Sequence, residues 1–458
     1  APLATPATPV PTESGPLVAV ATGSTVAFTN ESVAAYVASH PELAKHVGPA
    51  DGHKAWKVRE VGDGNINFVY IVEGPQGGLA VKQCLPYVRC VGESWPLTQD
   101  RLRIEVSCLR EHGKYAPDRV PAVHRYDPEL AACAMTYIAP PAIILRKGLM
   151  AGRTYPLFAQ HTAQYMAATL FSTSTLAMAS GDHKRMVQQY TNPEMCELTE
   201  KVIFCEPYTV AAHNRHTSPQ LDGDVQALRD DVEAKVAISG LKRKFMTHAE
   251  ALLHGDLHTG SIMVTDSDTQ VIDPEFAYVG PIAFDTAKIL GELLLALFAS
   301  YGQEACEAAG SRPAPEGPRA AQREWLAGCV ASIWREFESG FVGHWDAALA
   351  GGKGGDGYPC ALLGPDAPQG STGAKAVQAT FMRELWTDTV SFMGAFIIRR
   401  LVGISHVADM DEGVPDADIR AGCERRALRF GRSLLVNPGY FPSVEALVST
   451  AAAAAAPK

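Results

Sequence analysis

Apolar and polar positions begin to alternate near Trp56. The alternation over 56–61 and the runs N-F-V-Y-I-V-E (67–73) and L-A-V-K-Q (79–83) predict three strands. Successive side chains of a strand point to opposite faces, which is the period seen. Residues 99–112 switch to helical spacing, and Gly113 reads as the stop. Two more strands are expected over 120–126 and 131–138, after which Pro140-Pro141 interrupts the chain. Beyond it the spacing is mostly helical, over 155–179, 225–253, 284–301, 323–349 and 380–407. A short β region, 261–264 with 269–272, breaks the series. This order predicts an α+β chain of two lobes joined by a hinge near Ile138. The N-lobe, 27–138, is a small antiparallel sheet plus a helix, and the C-lobe, 139–458, is larger and mainly helical.

Three segments fall outside the pattern. Residues 1–26 hold five prolines and one charge, Glu13, and read as a flexible tail. Residues 350–373 are rich in Gly, Pro and Asp and read as a long surface insertion. The alanine run at 451–458 either extends a helix or frays. Length alone, 458 residues, suggests about three domains. The element order lowers that to two.

Composition narrows the class. With 47% hydrophobic and 20% charged residues the chain can bury a large core, so bulk disorder is excluded. Forty basic against fifty acidic residues give −10, which disfavours a broad nucleic-acid surface but allows a local phosphate pocket. The longest greasy stretch, 289–299, is interrupted by Glu292 and is too short to span a membrane. It reads as a buried core helix. Ten cysteines without a C-x-x-C pair read as reduced thiols. The first basic side chain is Lys45, so no secretory or transit leader is visible and a cytoplasmic location is expected.

The strongest chemical signal is H-G-D-L-H-T-G-S (254–261) followed by V-I-D-P-E (271–275). Each fragment alone reads more readily as a turn with solvated acids. Together, Asp256 and Asp273 lie 17 residues apart across a β-hairpin, which can bring both to one side of a cleft. Phosphoryl transfer needs one carboxylate to orient and deprotonate a hydroxyl, and others to hold Mg²⁺ against phosphates. Asp256 suits the first role, and Asp273 and Glu275 the second. In an extended segment Asp273 and Glu275 would share a face.

A second signal is Gly62-Asp63-Gly64-Asn65-Ile66-Asn67 between two strands. Glycines let backbone N–H groups approach phosphate, although the same residues make a good hairpin turn. Lys82 inside an apolar strand, with Glu105 on the next helix, favours the phosphate reading. A strand lysine paired to a helix glutamate is the kinase arrangement. A third signal is Arg399-Arg400. On a helix their side chains diverge by about 100°, so one can face a cleft while the other pairs locally. A helix-end salt-bridge pair is the other reading. His254, His258 and His406 do not make a metal pattern, and Trp325, Trp334 and Trp345 read as core.

G-D-G-N-x-N-F-V, H-G-D-L-H-T-G-S-I-M-V, T-Q-V-I-D-P-E-F and I-I-R-R-L-V-G-I-S-H-V-A-D resemble the 5-methylthioribose kinases, particularly the plant and algal form. R-C-V-G-E-S-W-P-L-T (89–98) and I-L-R-K-G-L (144–149) resemble them too. The resemblance implies a protein-kinase-like fold shared with choline kinases and aminoglycoside phosphotransferases. It implies transfer of the ATP γ-phosphate to the 1-hydroxyl of 5-methylthioribose in methionine salvage, with Mg²⁺, by a homodimer. Matching motif to motif, Asp256 would be the base, and Asp273 and Glu275 the metal ligands. Asn65, Asn67 and the loop glycines would cover the phosphates, and Lys82 would contact them. Thr136, Tyr137 and Ile138 would be the hinge that reads adenine. Arg399 and Arg400 would sit near substrate and the transferring phosphate, and Trp95 would help close the site. Ser261 stands where the cousins carry a metal-binding Asn.

Other functions remain open at this point. A choline, aminosugar or homoserine kinase shares the fold, and a cationic acceptor would call for an acidic, aromatic-lined pocket. A silent kinase-fold scaffold would have lost Lys82, Asp256 or D-P-E, and none is lost.

Overall fold

A computed structural model describes residues 26–62, 66–88, 92–351, 354–357 and 372–457. Most of the predicted tail and insertion, and Asp63, Gly64 and Asn65 of the glycine loop, lie outside the described residues.

The N-lobe sheet has five antiparallel strands in the order β1-β2-β3-β7-β6. These are β1 (Lys57–Glu60), β2 (Phe68–Gly74), β3 (Gly77–Gln83), β6 (Val123–Asp127) and β7 (Ala132–Thr136). A short ribbon, β4 (Tyr87–Val88) with β5 (Gly92–Pro96), lies between β3 and the helix Asp100–Tyr115. Strand alternation decides which side each residue serves. Leu79 and Val81 join Tyr70, Val72 and Ala134 in a cluster that also holds Val33 and Val37 of the helix Asn30–Ala38. Lys82, one step on, points to the opposite face, where the helix Asp100–Tyr115 packs. The expected stop at Gly113 does not occur: the helix continues to Tyr115, because one glycine costs only about 1 kcal/mol inside a helix.

The C-lobe is built around Ile282–Ala308, whose residues 282–300 are all buried. Arg319–Ala350, Thr372–Val402 and Ala417–Val436 pack against it. Two small sheets sit at its N-lobe end. One joins β8 (Ile143–Ile144), β10 (Ile262–Val264) and β11 (Thr269–Val271) in the order β11-β10-β8, and the other pairs β9 (Ala251–Leu253) with β12 (Tyr278–Gly280). The single helix expected over 225–253 is instead two, Asp222–Asp230 and Val232–Thr247, followed by β9. Asp231 breaks it: its carboxylate accepts from Ala234 N (3.0 Å) and starts the second helix as its cap. The alanine run closes the last helix, Val444–Ala455. Among the described residues no helix is long and apolar enough to cross a membrane.

Candidate active site

Lys82 reaches from β3 to the helix beneath it. Its Nζ lies 2.6 Å from Glu105 Oε2 and also pairs with Asp273 Oδ1. Burial opposes its charge, yet the carboxylates of Asp273, Glu105 and Glu275 hold the ammonium well above the usual lysine range. Burial pushes Glu105 up to about 8 despite the lysine beside it. Oxygens of Glu105, Asp273 and Glu275 all lie within 4.8 Å of one another. Such a set of hard oxygen donors fits a divalent cation of the Mg²⁺ type.

The D-P-E segment is not extended. Asp273 adopts φ 69°, a left-handed conformation that costs a non-glycine residue roughly 1 kcal/mol or more. The two acids therefore differ in exposure although their carboxylates stay within 4.8 Å of each other. The Asp273 side chain is 48% exposed, whereas Glu275 is buried. Asn67 Nδ2 donates to Glu275 Oε2 (2.7 Å), and Arg101 Nε lies 3.3 Å from the same oxygen. Arg101 also donates to Asn67 Oδ1, at 2.7 Å from Nη2. The Asn67 side chain thus bridges Glu275 and Arg101. Asn192 Nδ2 fixes the next turn by donating to the Glu275 and Ala277 carbonyls (both 3.1 Å).

The loop bearing Asp256 is locked to the D-P-E segment by one imidazole. His254 Nδ1 accepts from Asp256 N (3.1 Å), and Nε2 donates to Ile272 O (2.9 Å). Burial holds this ring neutral by pushing it down to about 4. Asp285 accepts from the backbone N–H of His254 (2.6 Å) and Gly255 (3.0 Å). Gly255 sits at φ 78°, and a Cβ there would lie 2.1 Å from Phe276 O, so only glycine fits. Ser261 Oγ donates to Asp256 O (2.8 Å) and steadies the same loop.

The Asp256 carboxylate faces cations. Oδ1 pairs with Lys288 Nζ, and Oδ2 lies 3.3 Å from His258 Nε2. Burial opposes the charged form, but Lys288 and His258 hold Asp256 well below the usual carboxylate range. Burial, with Arg399 and Arg400 nearby, pushes Lys288 down to about 8 against the pull of Asp256. Glu292 pairs with Arg400 Nε (2.5 Å) and Arg146 Nη2 (2.7 Å). Arg399 is different: it is buried, has no ion pair among the described residues, and its Nε has no hydrogen-bond partner. Four cations, Arg146, Lys288, Arg399 and Arg400, thus share the carboxylates of Asp256, Glu292 and Asp409, and Arg399 is the one without an ion pair among the described residues.

Residues 57–321 match the family described as the phosphotransferase enzyme family. Methylthioribose kinase 1 of Oryza sativa subsp. japonica is 46% identical over 414 residues, covering 90% of this chain and 92% of that protein. Methylthioribose kinase of Escherichia coli O45:K1 is 39% identical over 426 residues, covering 93% and 97%. The chain belongs to the methylthioribose kinase family. Among solved structures, Plasmodium vivax ethanolamine kinase aligns over 88% of this chain and 90% of that one, at 13% identity and a TM-score of 0.42.

Several residues expected from the family motifs are brought together: Lys82, Glu105, Asp273 and Glu275 in one cluster, and Asp256, Arg399 and Arg400 around another. Thr136 ends β7 and is exposed, with Tyr137 and Ile138 half-buried behind it. Tyr137 Oη accepts from Arg59 Nη2 (2.8 Å). Gly62 is exposed at the rim of the loop. Trp95 belongs to β5, and its side chain lies outside the described residues. Lys288, Arg146 and Arg101 were not expected. The signal for the first was present: Asp285, Lys288 and Glu292 recur at i, i+3 and i+7 inside a greasy helix, one charged stripe on a buried face.

Proposed function

We propose that this chain transfers the γ-phosphate of ATP to the 1-hydroxyl of 5-methylthioribose, forming the 1-phosphate in methionine salvage. The observation that carries this reading is the buried Arg399 guanidinium without a hydrogen-bond partner at Nε, beside the Asp256–Lys288 pair. A buried cation left unspent is costly unless an anion arrives to meet it. A phosphoryl group in transit is such an anion. The four cations also argue against choline or an aminosugar, whose own positive charge would be repelled.

The roles follow from surroundings. Asp256, held ionised, is a weak base; it orients the hydroxyl and takes its proton late, as the oxygen becomes acidic on bonding to phosphorus. Lys288 and Arg399 offset charge on the transferring group. Lys82, oriented by Glu105, contacts the phosphates. Asp273 and Glu275 would hold Mg²⁺, and the ion when bound neutralises the phosphate oxygens. Glycines 62 and 64 with Asp63 and Asn65 cover the phosphates, and the backbone of 136–138 reads adenine. Arg400 faces the sugar, and Trp95 helps close over it. In this reading the N-lobe, 27–138, binds nucleotide and the C-lobe, 139–458, supplies acceptor and base, in a cytoplasmic homodimer. An ATP-consumption assay against methylthioribose, choline and an aminoglycoside in parallel tests the substrate class. Turnover with the thiosugar alone is expected, and turnover with choline or the aminoglycoside instead contradicts the proposal.

A further inference from the structure

A second cluster lies beyond the twin arginines. His406, Asp411 and Glu424 present ligand atoms that all fall within 4.8 Å of one another. They come from three segments: the turn after the helix Thr372–Val402, the short helix Ala408–Asp411, and the helix Ala417–Val436. Glu424 is the unusual member. It is fully buried, and neither carboxylate oxygen has a hydrogen-bond partner, although the Thr217 hydroxyl and the Arg420 guanidinium lie near. Arg420 is already committed, donating to Thr217 Oγ1 (3.0 Å) and Val414 O (3.0 Å). A buried carboxylate without partners costs several kcal/mol unless it is neutralised or bound to a cation.

The imidazole is turned the right way for a ligand. His406 Nε2 lies 2.8 Å from Arg215 O, an acceptor, so in the neutral ring Nε2 carries the hydrogen. The lone pair is then on Nδ1, which faces Asp411 Oδ1 at 3.2 Å. Either the second proton of a charged ring or a metal ion can stand between these two acceptors. Tetrahedral Zn²⁺ with bonds near 2.0–2.1 Å sets neighbouring ligand atoms roughly 3.3 Å apart. Asp411 Oδ2 is held by Arg215 Nη2 (2.8 Å), which fixes the carboxylate with Oδ1 toward His406. This is the outer-shell pattern that orients metal ligands, a histidine N–H on a carbonyl and a carboxylate on a donor. A pocket of about 300 Å³, lined by Arg215, His216, Thr217, His406, Asp411 and Arg420, opens beside His406 and Asp411 and leaves room for water as a further ligand.

We propose that His406, Asp411 and Glu424 bind a divalent transition ion of the Zn²⁺ class, at a site separate from the nucleotide's ion. Arg215 and Arg420 temper the charge, so binding is weaker than at an all-anionic site. The ion ties down the segment that holds the catalytic cations: Ser405 O accepts from Arg400 Nη1 (3.2 Å), and Asp409 Oδ2 lies 3.4 Å from Arg146 Nε.

The test uses the full chain, stripped with a chelator and kept free of nucleotide. Dialysis against Zn²⁺ followed by elemental analysis should find one ion per chain in wild type and in Asp273→Asn. Glu424→Gln and His406→Ala should each lower the Zn²⁺ affinity at least tenfold. No bound ion in wild type, unchanged binding in Glu424→Gln, or loss in Asp273→Asn alone overturns the proposal. Co²⁺ absorption of the wild type decides the matter should those variants not fold. Intense visible bands of a four- or five-coordinate ion are expected, and the weak spectrum of a hexaaquo-like ion contradicts the site. Melting supplies a further readout: without metal Glu424→Gln should melt no lower than wild type, and Zn²⁺ should raise only the wild type. An equal Zn²⁺ shift in both contradicts the proposal.

Discussion

Lys288, on the buried central helix of the C-lobe, pairs with Asp256 on the loop after His254. The pair sets how Asp256 can act. An aspartate held well below its usual range stays charged at any working pH and is a poor base until late in the reaction. Lys288→Met removes the nearest cation, so the Asp256 pKa should rise. The acid limb of the kcat/KM profile should then move to higher pH. The transition state also loses a charge partner, and kcat should fall roughly 100-fold. ATP affinity measured by calorimetry should hold. An unmoved acid limb contradicts this role.

Arg399 and Arg400 are neighbours with opposite energetics. Each has one buried nitrogen without a partner, Nε of Arg399 and Nη2 of Arg400, but Arg400 is ion-paired to Glu292 and Arg399 has no ion pair among the described residues. Arg399→Met should cut kcat/KM for the thiosugar roughly 100-fold and leave the melting temperature unchanged or higher. Arg400→Met should destabilise the fold by about 3 kcal/mol, the low end for a broken buried pair. The low end applies because Arg146 still holds Glu292 at 2.7 Å. Thermal melts beside steady-state kinetics check both. Equal stability loss in the two variants contradicts the contrast.

A buried neutral imidazole gives a pH test. His112 is pushed down to about 3 from 6.5 by burial, with its ring between Tyr165 Oη and Leu252 O. Its folded-state pKa is depressed, so the unfolded chain binds the proton more readily. The stability from this group is complete above pH 6.5 and is lost as pH falls toward 3. The stability gap between wild type and His112→Gln should narrow by about 3 kcal/mol between pH 7 and pH 4.5. Denaturant midpoints at several pH values measure it. A constant gap contradicts the assignment.

The N-lobe strands were legible because alternation survives where one sheet face is buried, as Leu79 and Val81 show beside Lys82. The pairing of Lys82 with Glu105 was legible too, since an ionisable residue inside an apolar strand demands a partner. The break at Asp231 was not: helical spacing runs on through a residue whose capping role depends on backbone turning. The inward hydrogen bonding of Asn67 and Glu275 was hidden for a related reason. Both lie in motifs that read as phosphate or metal contacts, yet Arg101, hidden in an ordinary amphipathic helix, draws both inward. Glu292 was visible as a charge but read as the interruption of a core helix, and Lys288 beside that stretch drew no reading. Their partners, Asp256, Arg400 and Arg146, come from distant parts of the chain.

The most direct test follows the phosphorus. Wild type and Asp256→Ala are incubated with ATP, Mg²⁺ and 5-methylthioribose, and products are read by ³¹P NMR. Wild type should give a phosphomonoester resonance split by the anomeric proton. Asp256→Ala should give it several orders of magnitude more slowly while still binding ATP. A wild-type product phosphorylated elsewhere on the sugar, or near-normal turnover in Asp256→Ala, would contradict the account.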